Sequence, residues 1–72
     1  MAHEQTFLEY QEQALMSTLR LMVDGAEIYG KSIEIAYMAF REAVELLEKN
    51  GLFKNAKEKA EETIRRYELE DK

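Results

Sequence analysis

Apolar side chains recur along this chain at the spacings of amphipathic helices, i, i+3, i+4 and i+7, and no stretch alternates in the manner of a strand. Phe7, Leu8, Leu15, Leu19, Met22 and Val23 define a first helix over about residues 7 to 23. Thr6 and Glu9 stand where an N-cap and its capping-box partner belong. Asp24, followed three residues later by Glu27, has the form of a second capping box, so the pattern predicts a break near residues 24 to 25. A second helix then runs to Lys49, with Asn50-Gly51 as a left-handed stop. Asn55 and Glu58 open a third helix that ends near Leu69.

A competing pattern runs straight through Gly25. Leu8, Leu15, Met22, Tyr29, Ala36 and Ala43 recur every seven residues, and Leu19, Ala26, Ile33, Phe40 and Leu47 keep the same heptad. That register would make one helix of about 40 residues, or about 60 Å. Gly25 and Gly30 would each cost it roughly 1 kcal/mol as helix-interior glycines, which favours the bend.

On a helical wheel the apolar arc of the first helix covers roughly 220° and that of the second roughly 200°, whereas the third carries only a narrow stripe. That stripe is Phe53, Ala56, Ala60, Ile64 and Tyr67. A strip of small residues, Ser32, Ala36, Ala39 and Ala43, runs along the second helix and would allow another backbone to approach closely. One narrow third helix cannot hide two broad arcs. The expected architecture is therefore one all-α domain over residues 1–72, a helical hairpin or three-helix bundle, that completes its burial as a dimer. Leu15, Leu19, Met22, Ile33, Ala36, Phe40, Ala43 and Leu47 are the candidate residues of the helix–helix seam.

Size sharpens this expectation. A chain of 72 residues buries only about 60% of the surface its unfolded form exposes and commonly needs a disulfide, a metal or a partner chain. With no Cys and a single His, neither a disulfide nor an N/S zinc site can serve. Very regular packing and self-association remain, and self-association is the expected route. The opening Met-Ala-His-Glu-Gln has neither a basic segment nor an apolar one, and no apolar run approaches the roughly 18 residues of a spanning helix. A soluble, cytoplasmic chain without a membrane role is expected.

The net charge of −5 is concentrated near the start: residues 1 to 30 carry five acids against Arg20, giving −4, residues 31 to 50 give −1, and 51 to 72 balance at zero. Glu4, Glu9, Glu12, Asp24 and Glu27 form the candidate acidic face. Glu12 also interrupts the heptad, where a polar group in a dimer seam would fix register. Lys54, Lys57, Lys59, Arg65 and Arg66 share their helix with Glu58, Glu61 and Glu62 at i,i+3 and i,i+4 distances, so that surface is locally neutral. Direct nucleic-acid binding is not expected.

One stretch carries a chemical signature. Gly25-Ala-Glu-Ile-Tyr-Gly30-Lys31-Ser32 fits G-x-x-x-x-G-K-[ST] and resembles the Walker A loop of P-loop nucleotide-binding proteins. The resemblance implies Lys31 on the β- and γ-phosphates and Ser32 on Mg²⁺. A P-loop, however, follows a strand of a parallel sheet whose two faces are covered by helices, for which 72 residues leave no room. Glu27, Ile28 and Tyr29 are also poor occupants of a loop that offers its amides to a polyanion. The helical pattern uses Ile28, Tyr29 and Ser32 for packing instead, so no nucleotide cofactor is expected. His3 has no base or nucleophile near it in sequence, and no Ser or Thr has a partner set for nucleophilic catalysis. These considerations predict no catalytic, cofactor or metal site. They predict a non-catalytic regulatory module that self-associates and docks on a partner protein, or, alternatively, an acidic inhibitor that mimics nucleic-acid phosphates to block a nucleic-acid-binding protein.

Overall fold

Two glycines with left-handed backbone set where the helices stop. The computed structural model describes residues 7–70, and in it three helices follow one another: α1 (Phe7–Ile28), α2 (Ile33–Lys49) and α3 (Ala56–Glu70). At the end of α1, Lys31 N–H donates to the Ala26 carbonyl at 2.7 Å and Gly30 N–H to that of Glu27 at 3.0 Å, while Gly30 holds φ 71°. At the end of α2, Leu52 N–H donates to Leu47 at 2.9 Å and Gly51 N–H to Glu48 at 3.0 Å, with Gly51 at φ 79°. Both are Schellman motifs, in which a residue without a Cβ turns the chain and the 6→1 and 5→2 bonds occupy carbonyls the helix leaves open.

The first of these corrects the expected boundary. The helix does not break at 24 to 25 but continues through Gly25 to Ile28, and the second helix starts at Ile33 rather than near residue 25. Neither does a single 40-residue helix form. Asp24 therefore sits inside α1 and caps nothing. The signal in Asp24-Gly25-Ala26-Glu27 is outweighed because Met22, Val23 and Ala26 continue the face that packs on the core, and Gly30 supplies a better stop. Ser32 becomes the N-cap of α2 with extended backbone, φ −74° and ψ 153°, and its carbonyl accepts from Ile35 N–H at 3.1 Å. The Asn50-Gly51 stop and the position where α3 starts agree with the sequence pattern, although Asn55 holds a left-handed φ of 57° instead of the extended backbone of an N-cap. Thr6 lies outside the described residues.

Three ladders at four-residue spacing meet in the core: Leu15, Leu19 and Val23 from α1, Ala36, Phe40 and Val44 from α2, and Ala56, Ala60 and Ile64 from α3. Phe40, Leu19 and Val23 are wholly inaccessible to solvent. The two alanines let α3 lie close to the hairpin of α1 and α2. Half-buried Tyr37 and Tyr67 join α2 to α3 with ring centroids 6.4 Å apart, nearly perpendicular at 80°. The result is a three-helix bundle, in keeping with the expected class, with flat dimensions of 43 × 30 × 17 Å.

Polar contacts gather around α3. Arg20 of α1 reaches Glu70 at 2.8 Å, and Arg66 lies 3.8 Å from Glu12. Arg41 of α2 grips Glu61 through two bonds, Nε to Oε2 at 2.5 Å and Nη2 to Oε1 at 3.2 Å. Lys59 Nζ donates to Oε1 of buried Gln11 at 3.3 Å. Thr63, also buried, turns its hydroxyl onto the Lys59 carbonyl at 2.8 Å. Among the described residues no buried side-chain N or O lacks a hydrogen-bond partner. No helix among them is long and apolar enough to cross a membrane.

Candidate interaction surface

Because α3 occupies one groove of the α1–α2 hairpin, the groove on the opposite side is left open. It holds about 360 Å³ and is lined by Met22, Gly25, Ala26 and Tyr29 from the end of α1, by Lys31 in the turn, and by Ile35, Ala36 and Ala39 from α2. Lys31 is its only charged wall. Helical geometry, at about 100° per residue, continues the same face along both helices. On α1 it passes through Ala14, Thr18, Leu21, Gly25 and Ile28, at spacings of four, three, four and three. On α2 it follows Ile35, Ala39, Glu42 and Leu46, with Met38 at the rim. Thr18 turns its hydroxyl back to the Ala14 carbonyl at 2.8 Å, so its polar atom is satisfied within the helix.

The large residues of this face are solvent-exposed to a degree unusual for their type. Leu21 is 73% exposed, Ile28 79%, Tyr29 81%, Ile35 51%, Met38 59% and Leu46 59%. Taking such side chains as roughly 150–200 Å² when fully open, the six present on the order of 700 Å² of largely apolar surface. The largest apolar patch on an ordinary monomer is about 300–600 Å².

The seam residues expected from the sequence lie within the chain's own fold. Leu15, Leu19, Ala36 and Phe40 are buried in the core. Met22, Ile33, Ala43 and Leu47 are half-buried, and Met22 and Ala36 also line the open groove. Leu21, Ile28, Ile35 and Leu46, which the expected seam does not include, are exposed members of the two arcs. Their signal was present, because each belongs to the wide apolar arcs, but an arc does not say which part of it a third helix covers.

The expected acidic face is dispersed. Glu4 lies outside the described residues. Glu9, Glu12, Asp24 and Glu27 are all exposed on α1, but Glu12 faces Arg66 across the α1–α3 edge, and Arg20 stands along the helix between Glu9 and Glu27. Glu12 is thus placed beside α3, away from the open groove. The basic residues of α3 are interleaved with acids: Lys57 and Arg65 share a surface with Glu58, Glu61 and Glu62. The Arg41 guanidinium, hydrogen-bonded to Glu61, holds that carboxyl below the ordinary carboxylate value of 4.5. The same bond raises Arg41.

Gly25 to Ser32 does not form a phosphate-cradling loop. Gly25 through Ile28 are the last turn of α1, and Gly30 to Ser32 make the turn into α2. No strand precedes them among the described residues. Lys31 stands at the mouth of the apolar groove instead. Among the described residues no three of His, Cys, Asp and Glu are grouped to hold a metal ion. His3 lies outside them. No known protein family, curated protein or solved structure matches the chain.

Proposed function

We propose that this protein is a non-catalytic interaction module whose working surface is the open apolar face of α1 and α2. The observation that carries the reading is that a well-satisfied bundle, with its polar contacts gathered around α3, leaves Leu21, Ile28, Tyr29, Ile35 and Leu46 in water on one side. Exposed apolar side chains in such number raise the free energy of the free chain, and docking recovers it as the hydrophobic effect. The small floor of the groove, Gly25, Ala26 and Ala39, lets an approaching helix come close enough for ridges to enter grooves. Helix-in-groove recognition of this kind requires no charged ligand and no reacting group.

A photo-crosslinking residue placed at Leu21 in the native host tests the reading, with one at Glu58 on α3 as comparison. Discrete protein adducts from position 21, absent from position 58, are expected. Adducts that are equal at the two positions, or missing at 21, would contradict it.

A further inference from the structure

We infer that the occupant of the open α1–α2 face is the same face of a second copy, in a two-fold dimer whose centre is a four-helix core of two α1 and two α2 helices, with each α3 on the outside. The inference rests on the docking reading above and adds to it the identity of the partner.

Area is the first argument. The roughly 700 Å² that each copy presents is close to the about 800 Å² per partner that a stable interface of standard size buries, so a single like face suffices to cover it. The second argument is shape. A two-fold interface needs both ridge and groove on the same surface, since every residue meets the partner's version of that surface. This face has both: the channel over Gly25, Ala26 and Ala39, and the banks formed by Leu21 and Ile28 on α1 and by Ile35 and Leu46 on α2. The third is charge. Within the stripe Ala14, Thr18, Leu21, Gly25, Ile28 on α1 there is no ionisable side chain, on α2 only Glu42 interrupts it, and Lys31 in the turn between them is the charged residue of the groove lining. The closed dimer therefore desolvates few charges, and Glu42, exposed on the α2 stripe, and Lys31, exposed at the wall of the groove, are the groups that oppose closure.

The test is molar mass by light scattering and sedimentation across concentrations from about 1 to about 300 µM, a range that brackets micromolar dissociation constants. The native chain is expected to move from 8.5 kDa toward twice that value. Leu21→Asp should weaken association at least about 100-fold while leaving the circular-dichroism spectrum unchanged, because Leu21 is exposed and its loss removes nothing from the core. Leu69→Asp, which changes an equally exposed leucine on α3, should leave association unaffected. Glu42→Ala should tighten it several-fold. A native chain that stays at 8.5 kDa throughout, or a dimer indifferent to both Leu21→Asp and Ile35→Asp, would overturn the inference. The two proposals fail separately: a monomer that still crosslinks from position 21 to a different protein removes the second copy and keeps the docking surface, whereas a monomer with no adduct at 21 removes both.

Discussion

Four residues, taken as two pairs, show what single positions contribute to this fold. Gly30 holds a left-handed backbone that an L side chain adopts only at a cost of roughly 1–2 kcal/mol, whereas Gly25 sits inside α1 with open space where a Cβ would go. Urea denaturation at low chain concentration should separate them. Gly30→Ala is expected to cost about 1 kcal/mol, and Gly25→Ala to gain about 0.5–1 kcal/mol. Equal shifts would mean that the Schellman turn does not terminate α1. Phe40 offers a different contrast with Leu21. Removing the wholly buried ring in Phe40→Ala should cost about 3–5 kcal/mol, most of the stability a domain of this size possesses, while Leu21→Ala should change monomer stability by less than about 0.5 kcal/mol. Comparable losses at the two positions would place Leu21 in the core and remove the exposed face.

At the scale of the elements, α3 is fastened by a hydrophobic ladder and by ion pairs at its edges. The Arg41–Glu61 pair is bidentate but two-fifths exposed, so its worth is limited to about 0.5–1 kcal/mol after solvent screening. Glu61 titrates below the ordinary carboxylate value in the folded chain, so its contribution is present above the unfolded value of about 4.5 and is lost as pH falls through the lower folded value. Glu61→Gln should accordingly destabilise the bundle at pH 7 and make no difference at pH 2. A gap that persists at pH 2 would assign the effect to packing. Much of this element scale was legible in the chain: three helices, the Asn50-Gly51 stop, the start of α3, and the narrow α3 stripe that covers only one groove. The α1–α2 boundary was not, because Asp24 and Glu27 form a valid local capping signal that tertiary packing of Val23 and Ala26 overrides. Which part of each broad arc stays exposed was also hidden, since periodicity gives the width of an arc and not the direction from which its neighbours approach.

The whole molecule is a hairpin of two broad helices with a third helix on one side. That asymmetry explains why its polar contacts cluster around α3 and why six of its exposed large apolar side chains, from Leu21 to Leu46, lie along α1, α2 and the turn between them. It also bears on ionic strength. Association through an apolar face should change little between low and moderate salt, whereas docking of dispersed carboxylates on a basic groove would weaken steeply. Glu12 lies 3.8 Å from Arg66 and the remaining acids of α1 are spread along the helix rather than gathered on one patch, so the steep dependence is not expected. The most direct test of self-association through the open face is a dilution series followed by amide chemical shifts along the chain. Shifts that move with concentration should localise to Leu21, Gly25 and Tyr29 on α1 and to Ile35, Ala39 and Leu46 on α2, leaving the outer surface of α3 still. Concentration-dependent shifts centred on α3, or none at all, would contradict the account.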